Sequence, residues 1–143
     1  MTPLWWQLLL AGVIIGATTT LQALFIALAF EIRPRVVRHL NALRPWLLAG
    51  MFAATALWIL LGTIAGIWLW TGALLWTGAF AHLEEALYFA IASYTTVGFG
   101  DVVAPPAWRV LGATIAANGM LGFGIATAAL IDLVLRTQNE LRR

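Results

Sequence analysis

The sequence contains no cysteine, a single serine and two histidines. The absence of cysteine excludes disulfide bonds, thiolate metal sites and cysteine nucleophiles. One serine and two well-separated histidines provide no plausible catalytic set of nucleophile, base and orienting group. We therefore expect a protein that is not an enzyme, needs no cofactor, and binds neither a small-molecule substrate nor a nucleic acid.

Charged side chains are also scarce, at 10% of the 143 residues, whereas 62% of the residues are hydrophobic and the mean hydropathy is +0.92. A soluble domain of this size could not bury so much apolar surface, so lipid must form part of its solvent. A transmembrane helix needs about 20 apolar residues, which leaves room for about three in this chain. The composition predicts an all-α integral membrane protein.

Three long apolar segments fit that expectation: residues 4–30, 46–70 and 108–135. The first segment lies in a predicted domain, residues 1–30, that we interpret as an extra N-terminal transmembrane helix. A cleaved signal peptide is the alternative, but it would start with basic residues and have a shorter apolar core.

Small and polar residues interrupt the first two segments. Gly12 and Gly16, like Gly62 and Gly66, have the spacing of close helix packing, so either these pairs meet each other or the spacing is accidental. The polar run from Thr18 to Gln22 is expected to be satisfied by local bonds to the helix backbone rather than to act in transport.

Residues 31–45 separate the first two segments and are rich in arginine. A basic segment beside two spans is expected to be a cytoplasmic loop, and the tail, residues 137–143, is expected on the same side. With three spans, the N-terminus is then outside. The loop either only fixes topology or also binds anionic lipid head groups through its four arginines, Arg33, Arg35, Arg38 and Arg44.

Tryptophan prefers the membrane–water interface, and several tryptophans lie near predicted span ends. Six are expected to form one belt at the outer face: Trp5, Trp6, Trp68, Trp70, Trp76 and Trp108. Residues 71–82 are predicted to be a short turret lying on the bilayer.

Residues 83–94 have helical spacing of apolar side chains but are too few to cross a bilayer. We predict a re-entrant helix that is buried in protein. Glu84 and Glu85 suit the positive end of its dipole, and they either serve only that end or form an acidic vestibule that concentrates cations. His82 beside them is a candidate pH sensor.

The stretch Thr95-Thr96-Val97-Gly98-Phe99-Gly100-Asp101, residues 95–101, follows this helix. A row of backbone carbonyls facing one way can bind a dehydrated cation, but alternate residues must then enter left-handed backbone regions, which glycine enters at little cost. The predicted ligands are the carbonyls of Thr96, Val97, Gly98 and Phe99 and the Thr96 hydroxyl, with Gly100 completing the filter at its exit. One chain supplies one side of such a cage, so several chains are needed; a simple glycine turn between helices is the alternative.

The segment from Leu87-Tyr88-Phe89 through Asp101 resembles the pore helix and filter of tetrameric potassium channels, most closely the small prokaryotic type with two membrane helices around each pore loop. The resemblance covers roughly residues 46–136. It implies a homotetramer in the prokaryotic plasma membrane that conducts K⁺ selectively, with K⁺ as the permeant metal ion. Phe99 stands where tyrosine is commoner in that family.

The resemblance also assigns roles around the filter. It implies that Asp101 bonds the aromatic side chain of Tyr88 and braces the filter, although a solvated surface acid is the simpler interpretation. The family's frequent pore-helix glutamate is replaced here by Ala92, which leaves the bracing network incomplete. A non-selective cation channel is therefore one alternative function, and a non-conducting membrane scaffold or accessory subunit is another.

The last segment is expected to carry the gate. Gly119 is near the family's hinge glycine, and its alternative role is close helix packing. Phe123, Thr127 and Ile131 recur every four residues, with Leu135 next, and are predicted to line the lower cavity. Asn118 either faces the cavity or hydrogen-bonds a neighbouring helix. Asp132 is expected to pair with Arg136, and a proton-sensitive ring is the sharper alternative.

Overall fold

The computed structural model describes residues 3–39 and 45–141. Within these residues the chain forms four α-helices and no strand: α1 (Leu4–His39), α2 (Pro45–Trp76), α3 (Leu83–Tyr94) and α4 (Arg109–Leu141), with a 3₁₀ turn at Pro106–Trp108 before α4. The predicted all-α class is confirmed.

Three of the helices are long and apolar enough to cross a membrane, over Leu4–Glu31, Ala49–Trp76 and Pro106–Arg136. The short helix α3 has the bounds predicted for the re-entrant helix, residues 83–94. Over residues 3–39 and 45–141, the architecture is therefore three helices long enough to cross a membrane and one short helix between the second and the third.

Two helices are longer than expected. The α1 helix continues past residue 31 into the segment predicted to be a loop, and α2 continues through residues 71–76 of the predicted turret. In α2 the reason is packing, because Thr71 and Leu74 are fully buried.

The end of α2 is set by Gly78. This residue has a φ of 70°, and the amides of Gly78 and Ala79 donate to the carbonyls of Leu75 and Leu74, both at 3.0 Å. These are the two bonds of a Schellman motif, which requires a left-handed residue just past the helix. The glycine was a usable signal for the true end of α2, and the connection to α3 is correspondingly short.

The centre of the subunit is formed where α2, α3 and α4 meet. Trp70 and Leu74 of α2 and Leu111 and Ile115 of α4 are its largest fully buried side chains. Helix α3 fits against them because the residues it buries next to them are small, Ala86 and Ala90. This contact fixes α3 against its two neighbouring helices.

The glycine pairs of α1 and α2 do not meet, which supports the second of the two alternatives, accidental spacing. Gly12 and Gly16 have open space where a side chain would lie, whereas Gly62 faces Gln22 and Phe25 of α1, and Gly66 faces Thr18. The glycines of α2 therefore accept larger side chains of α1 rather than a second row of glycines.

One tryptophan of the predicted belt is misassigned. Trp70 is 0% exposed and lies in the centre of the subunit, where its indole nitrogen donates a hydrogen bond to α4. Four of the others, Trp5, Trp6, Trp68 and Trp76, are exposed on the subunit surface, as an interfacial role requires.

Candidate functional site

The candidate site begins at the start of α3. His82 precedes the helix in an extended conformation and gives no side-chain cap, while Glu84 and Glu85 lie exposed in the first turn. Carboxylates there interact favourably with the free backbone amides of the helix N-terminus. The two carboxylates predicted to form an acidic vestibule, and the candidate pH sensor His82, thus all lie at the N-terminal end of the short helix.

The buried face of α3 consists of Ala86, Ala90 and Tyr94, spaced four residues apart. Tyr94 is the last residue of α3, and α4 packs directly against it. A Cβ atom at Gly119 would overlap the Tyr94 carbonyl, and one at Gly122 would lie 2.6 Å from the Tyr94 hydroxyl. The structure therefore supports the packing role for Gly119; its role as a hinge stays a prediction.

The filter segment is tied to the last turn of α3 by backbone bonds. The amides of Thr95, Thr96 and Gly98 donate to the carbonyls of Ile91, Ser93 and Ala92 at 2.9, 3.0 and 3.1 Å. These bonds satisfy carbonyls that a helix C-terminus otherwise leaves open. The segment thus leaves the helix in a defined direction.

Backbone handedness alternates along this segment. Thr96, Gly98 and Gly100 have φ values of 61°, 53° and 81°. This is the pattern that a row of carbonyls facing one way demands. The two glycines, Gly98 and Gly100, make this backbone pattern predictable from the sequence. Thr96 is the one non-glycine residue with positive φ among the described residues, and that conformation costs roughly 1–2 kcal/mol.

The side chains of the filter segment are uncovered within one subunit. Val97 is 53% exposed and Phe99 is 73% exposed. The side chains predicted to line the cavity, Phe123, Thr127 and Ile131, are exposed as well, and the Phe123 ring contacts the Tyr94 ring at 5.9 Å between centroids. These exposed side chains form a row along α4 that starts with Phe123, next to the end of α3.

The exit of the segment is joined to α3 through side chains. Tyr88 Oη donates to Asp101 Oδ2 at 2.8 Å, and the Val102 amide donates to Asp101 Oδ1 at 3.0 Å. The bond from Tyr88 lowers the pKa of Asp101 below its ordinary value, and the same bond raises the pKa of Tyr88. Asp101 is exposed but bonded, so it is not merely a solvated surface acid.

A cleft of about 430 Å³ opens behind the filter segment. Ala92, Ser93 and Thr96 line one wall, and Arg109, Ala113 and Ala116 of α4 line the other. Ala92 is the position at which the resembled family often has glutamate, and its methyl group cannot reach Asp101. Tyr88 is thus the side chain of α3 that bonds Asp101.

Asn118 hydrogen-bonds neighbouring helices, which decides between its two predicted roles. Its Oδ1 accepts from Trp70 Nε1 at 2.7 Å and from Thr18 Oγ at 2.8 Å. Sequence reasoning missed this set of partners, and it expected only local bonds for Thr18. The available signal was a polar side chain within each apolar span, because such a group needs a partner there.

The opposite end of α4 carries the predicted ion pair. Arg136 Nε donates to Asp132 Oδ2 at 2.8 Å, and the Arg136 guanidinium lies 5.3 Å from the centre of the Phe30 ring of α1. The arginines predicted to bind lipid, Arg33, Arg35, Arg38 and Arg44, fall where the structure describes no side chains.

The described residues thus combine three helices long enough to cross a membrane, a short helix before the third, and an exposed loop with alternating handedness. A family model described as "Ion channel" matches residues 46–136, more than half of the chain. The chain belongs to this two-helix pore-type ion channel family, with α1 lying outside the matched residues. Searches among curated proteins and among solved structures found no match.

Proposed function

We propose that this ion channel selects potassium and conducts it passively through a homotetramer. The observation that carries the proposal is the alternating handedness at positions 96, 98 and 100 in a Thr-Val-Gly-Phe-Gly segment. Potassium channels replace the ion's hydration shell with rings of carbonyls from four such loops. Here the carbonyls of Thr96, Val97, Gly98 and Phe99 would form those rings, with Gly100 at the exit.

The exposure of the filter segment supports assembly around an axis. Val97 and Phe99 are exposed within one chain, and so are Phe123, Thr127 and Ile131 on α4. Around a fourfold axis the filter carbonyls of the subunits would face each other, and the α4 stripe would line the cavity below. The predicted hinge at Gly119 would then lie where α4 contacts the end of the pore helix, α3.

The surroundings of the filter favour a cation. The C-terminal end of α3 directs its partial negative charge towards the region below the filter. Ions would shed water at the filter and advance by repulsion between neighbouring sites. The charge distribution favours a cytoplasmic C-terminus and an outside N-terminus, with the basic segment near anionic lipid on the cytoplasmic side.

The proposal is tested with the full chain reconstituted in planar bilayers. With K⁺ on one side and Na⁺ on the other, the reversal potential should lie far from zero. Gly98→Ala should abolish or strongly reduce the K⁺ current, because it places a Cβ atom on a left-handed residue. Gly72→Ala is the matched control, since Gly72 lies in α2 with open space where the methyl group would go.

A non-selective cation channel is the second candidate, and the cleft behind the filter favours it. With alanine at position 92, the lining of that cleft has no acidic side chain to stiffen the filter. A reversal potential near zero with robust current would establish this alternative. Absence of any cation current would instead favour a scaffold or accessory subunit.

A further inference from the structure

The extra helix α1 is attached to the pore helices at several levels by polar and aromatic contacts. Near the filter, Gln7 Oε1 accepts from the Leu111 amide in the first turn of α4 at 3.1 Å. Towards the other end, Trp58 Nε1 donates to the Phe25 carbonyl at 2.9 Å. Helix α1 therefore lies in one register against α2 and α4, and it does so within its own subunit.

The contact midway between these two joins three helices at one atom. Asn118 is 2% exposed, and its Oδ1 receives the indole N–H of Trp70 from α2 and the hydroxyl of Thr18 from α1. An indole nitrogen can only donate, so Trp70 fixes which end of the Asn118 amide is the oxygen. The Thr18 hydroxyl also lies 2.9 Å from the Ile14 carbonyl and 3.0 Å from the Ile15 carbonyl, so three acceptors share its single proton, and Asn118 Oδ1 is the nearest of them.

This contact is adjacent to the residues that hold the filter. Gly119 follows Asn118 directly, and its Cα packs so closely on the Tyr94 carbonyl that no Cβ would fit. The Tyr94 hydroxyl lies against Gly66 of α2, which itself faces Thr18. A rotation of α4 about its axis would move Gly119 against the Tyr94 carbonyl, which immediately precedes the filter segment.

We propose that Asn118 is a positioning residue for the filter, and that Thr18 of α1 acts through it. The side-chain bonds fix the rotation of α4, and α4 in turn fixes the end of the pore helix. Helix α1 thereby becomes part of the ion-selecting structure rather than a docking surface for another protein. This inference rests on the proposed potassium selectivity.

The placement of α1 is tested without any ion current. The natural chain has no cysteine, and a Cβ atom at position 66 would lie 3.7 Å from the Thr18 Cβ. That separation suits a disulfide. The double variant Thr18→Cys, Gly66→Cys should form a cross-link within one chain on mild oxidation. Covalent dimers, or no cross-link at all, would overturn the placement.

The role of Thr18 is tested by the K⁺-over-Na⁺ permeability ratio. Thr18→Val removes the hydroxyl at constant shape and should lower the ratio by about threefold, as expected when a coupling contact is lost. Thr18→Ser keeps the hydroxyl and should preserve the ratio. Thr71→Val is the matched control, because the buried Thr71 hydroxyl donates to the Ile67 carbonyl of its own helix. It should match the wild type.

The outcomes separate this inference from the proposed function. If the wild type selects potassium and Thr18→Val does not differ from Thr71→Val, the positioning role is wrong and the channel assignment survives. If the wild type does not discriminate K⁺ from Na⁺, the potassium selectivity and the inference both fail. Asn118→Leu should lower the ratio further than Thr18→Val, because it also leaves the Trp70 N–H without its acceptor.

Discussion

The two faces of α4 differ in their contacts with the other helices of the chain. One face, with Ile115, Asn118 and Gly119, is buried against the other helices of the same subunit. The other face, with Phe123 and Ile131, is exposed along its length. Both faces belong to one apolar helix, so hydrophobicity alone does not distinguish them.

The two faces differ in the size and the hydrogen bonding of their side chains. The buried face is specified by small residues that permit backbone contact and by one amide that bonds two neighbours. The exposed face has large apolar side chains and a threonine; the Phe123 ring touches Tyr94, and Thr127 and Ile131 are exposed. Substitutions on the buried face should therefore change the stability of the subunit or the position of the filter, and those on the exposed face should change gating.

The largest expected effect is a difference in stability between two glycine-to-alanine substitutions, one on each face of α4. Gly119→Ala should destabilise the protein by roughly 1–3 kcal/mol or more, as overpacking does, because the new methyl group overlaps the Tyr94 carbonyl. Gly124→Ala meets open space and should be neutral, or stabilising by up to about 1 kcal/mol through helix propensity. Thermal unfolding in detergent, followed by circular dichroism, measures both; equal shifts would contradict the comparison.

A polar substitution on the exposed face should leave the fold intact but alter gating. Ile131→Asn should raise the open probability several-fold, because a ring of amides keeps water in a constriction that apolar side chains would dry. Ile131→Val is the control and should behave like the wild type. A lower thermal midpoint for Ile131→Asn, with unchanged open probability, would place this residue inside the subunit rather than on the pore.

The smallest effect on stability is expected at the filter exit, where the bond between Tyr88 and Asp101 is lost only at extremes of pH. The folded-state pKa of Asp101 is lowered from 3.8, so its bond to Tyr88 contributes above that value and is lost as pH falls through the lowered pKa. The pKa of Tyr88 is raised from 10.0, so its contribution is complete below 10.0 and is lost as pH rises through the raised pKa.

Conduction should therefore persist on acidification past the ordinary aspartate range. In Tyr88→Phe the acidic limit should move to higher pH, because the bond that lowers the Asp101 pKa is gone, and currents should decay several-fold faster at neutral pH. Current recordings across pH measure both quantities. Superimposable pH profiles for the two proteins would show that the bond does not brace the filter.

Much of the fold was predictable from the residues themselves. Three apolar segments gave the three spans, and a segment of α3's length could only be an inserted helix. The filter segment was predictable because glycines alternate with other residues there. The pairing of Tyr88 with Asp101 came from a family resemblance and is present in the structure.

The rotation of each helix was not predictable. In a soluble protein the polar stripe of a helix reveals its outer face, but in a membrane the lipid-facing side is also apolar. Gly12 and Gly62 have the same spacing of small residues, yet one lies in open space and the other receives Phe25. Only partners on other helices distinguish such positions, and a single sequence does not name them.

The most direct test of the account is a density map of the assembled protein in K⁺, with Rb⁺ substituted to identify ions. We expect a single file of ion peaks on a fourfold axis, each between carbonyl oxygens of residues 96–99 from every subunit. A fully assembled protein whose axis carries no such file, or whose residues 96–99 turn their carbonyls away from it, would contradict the account.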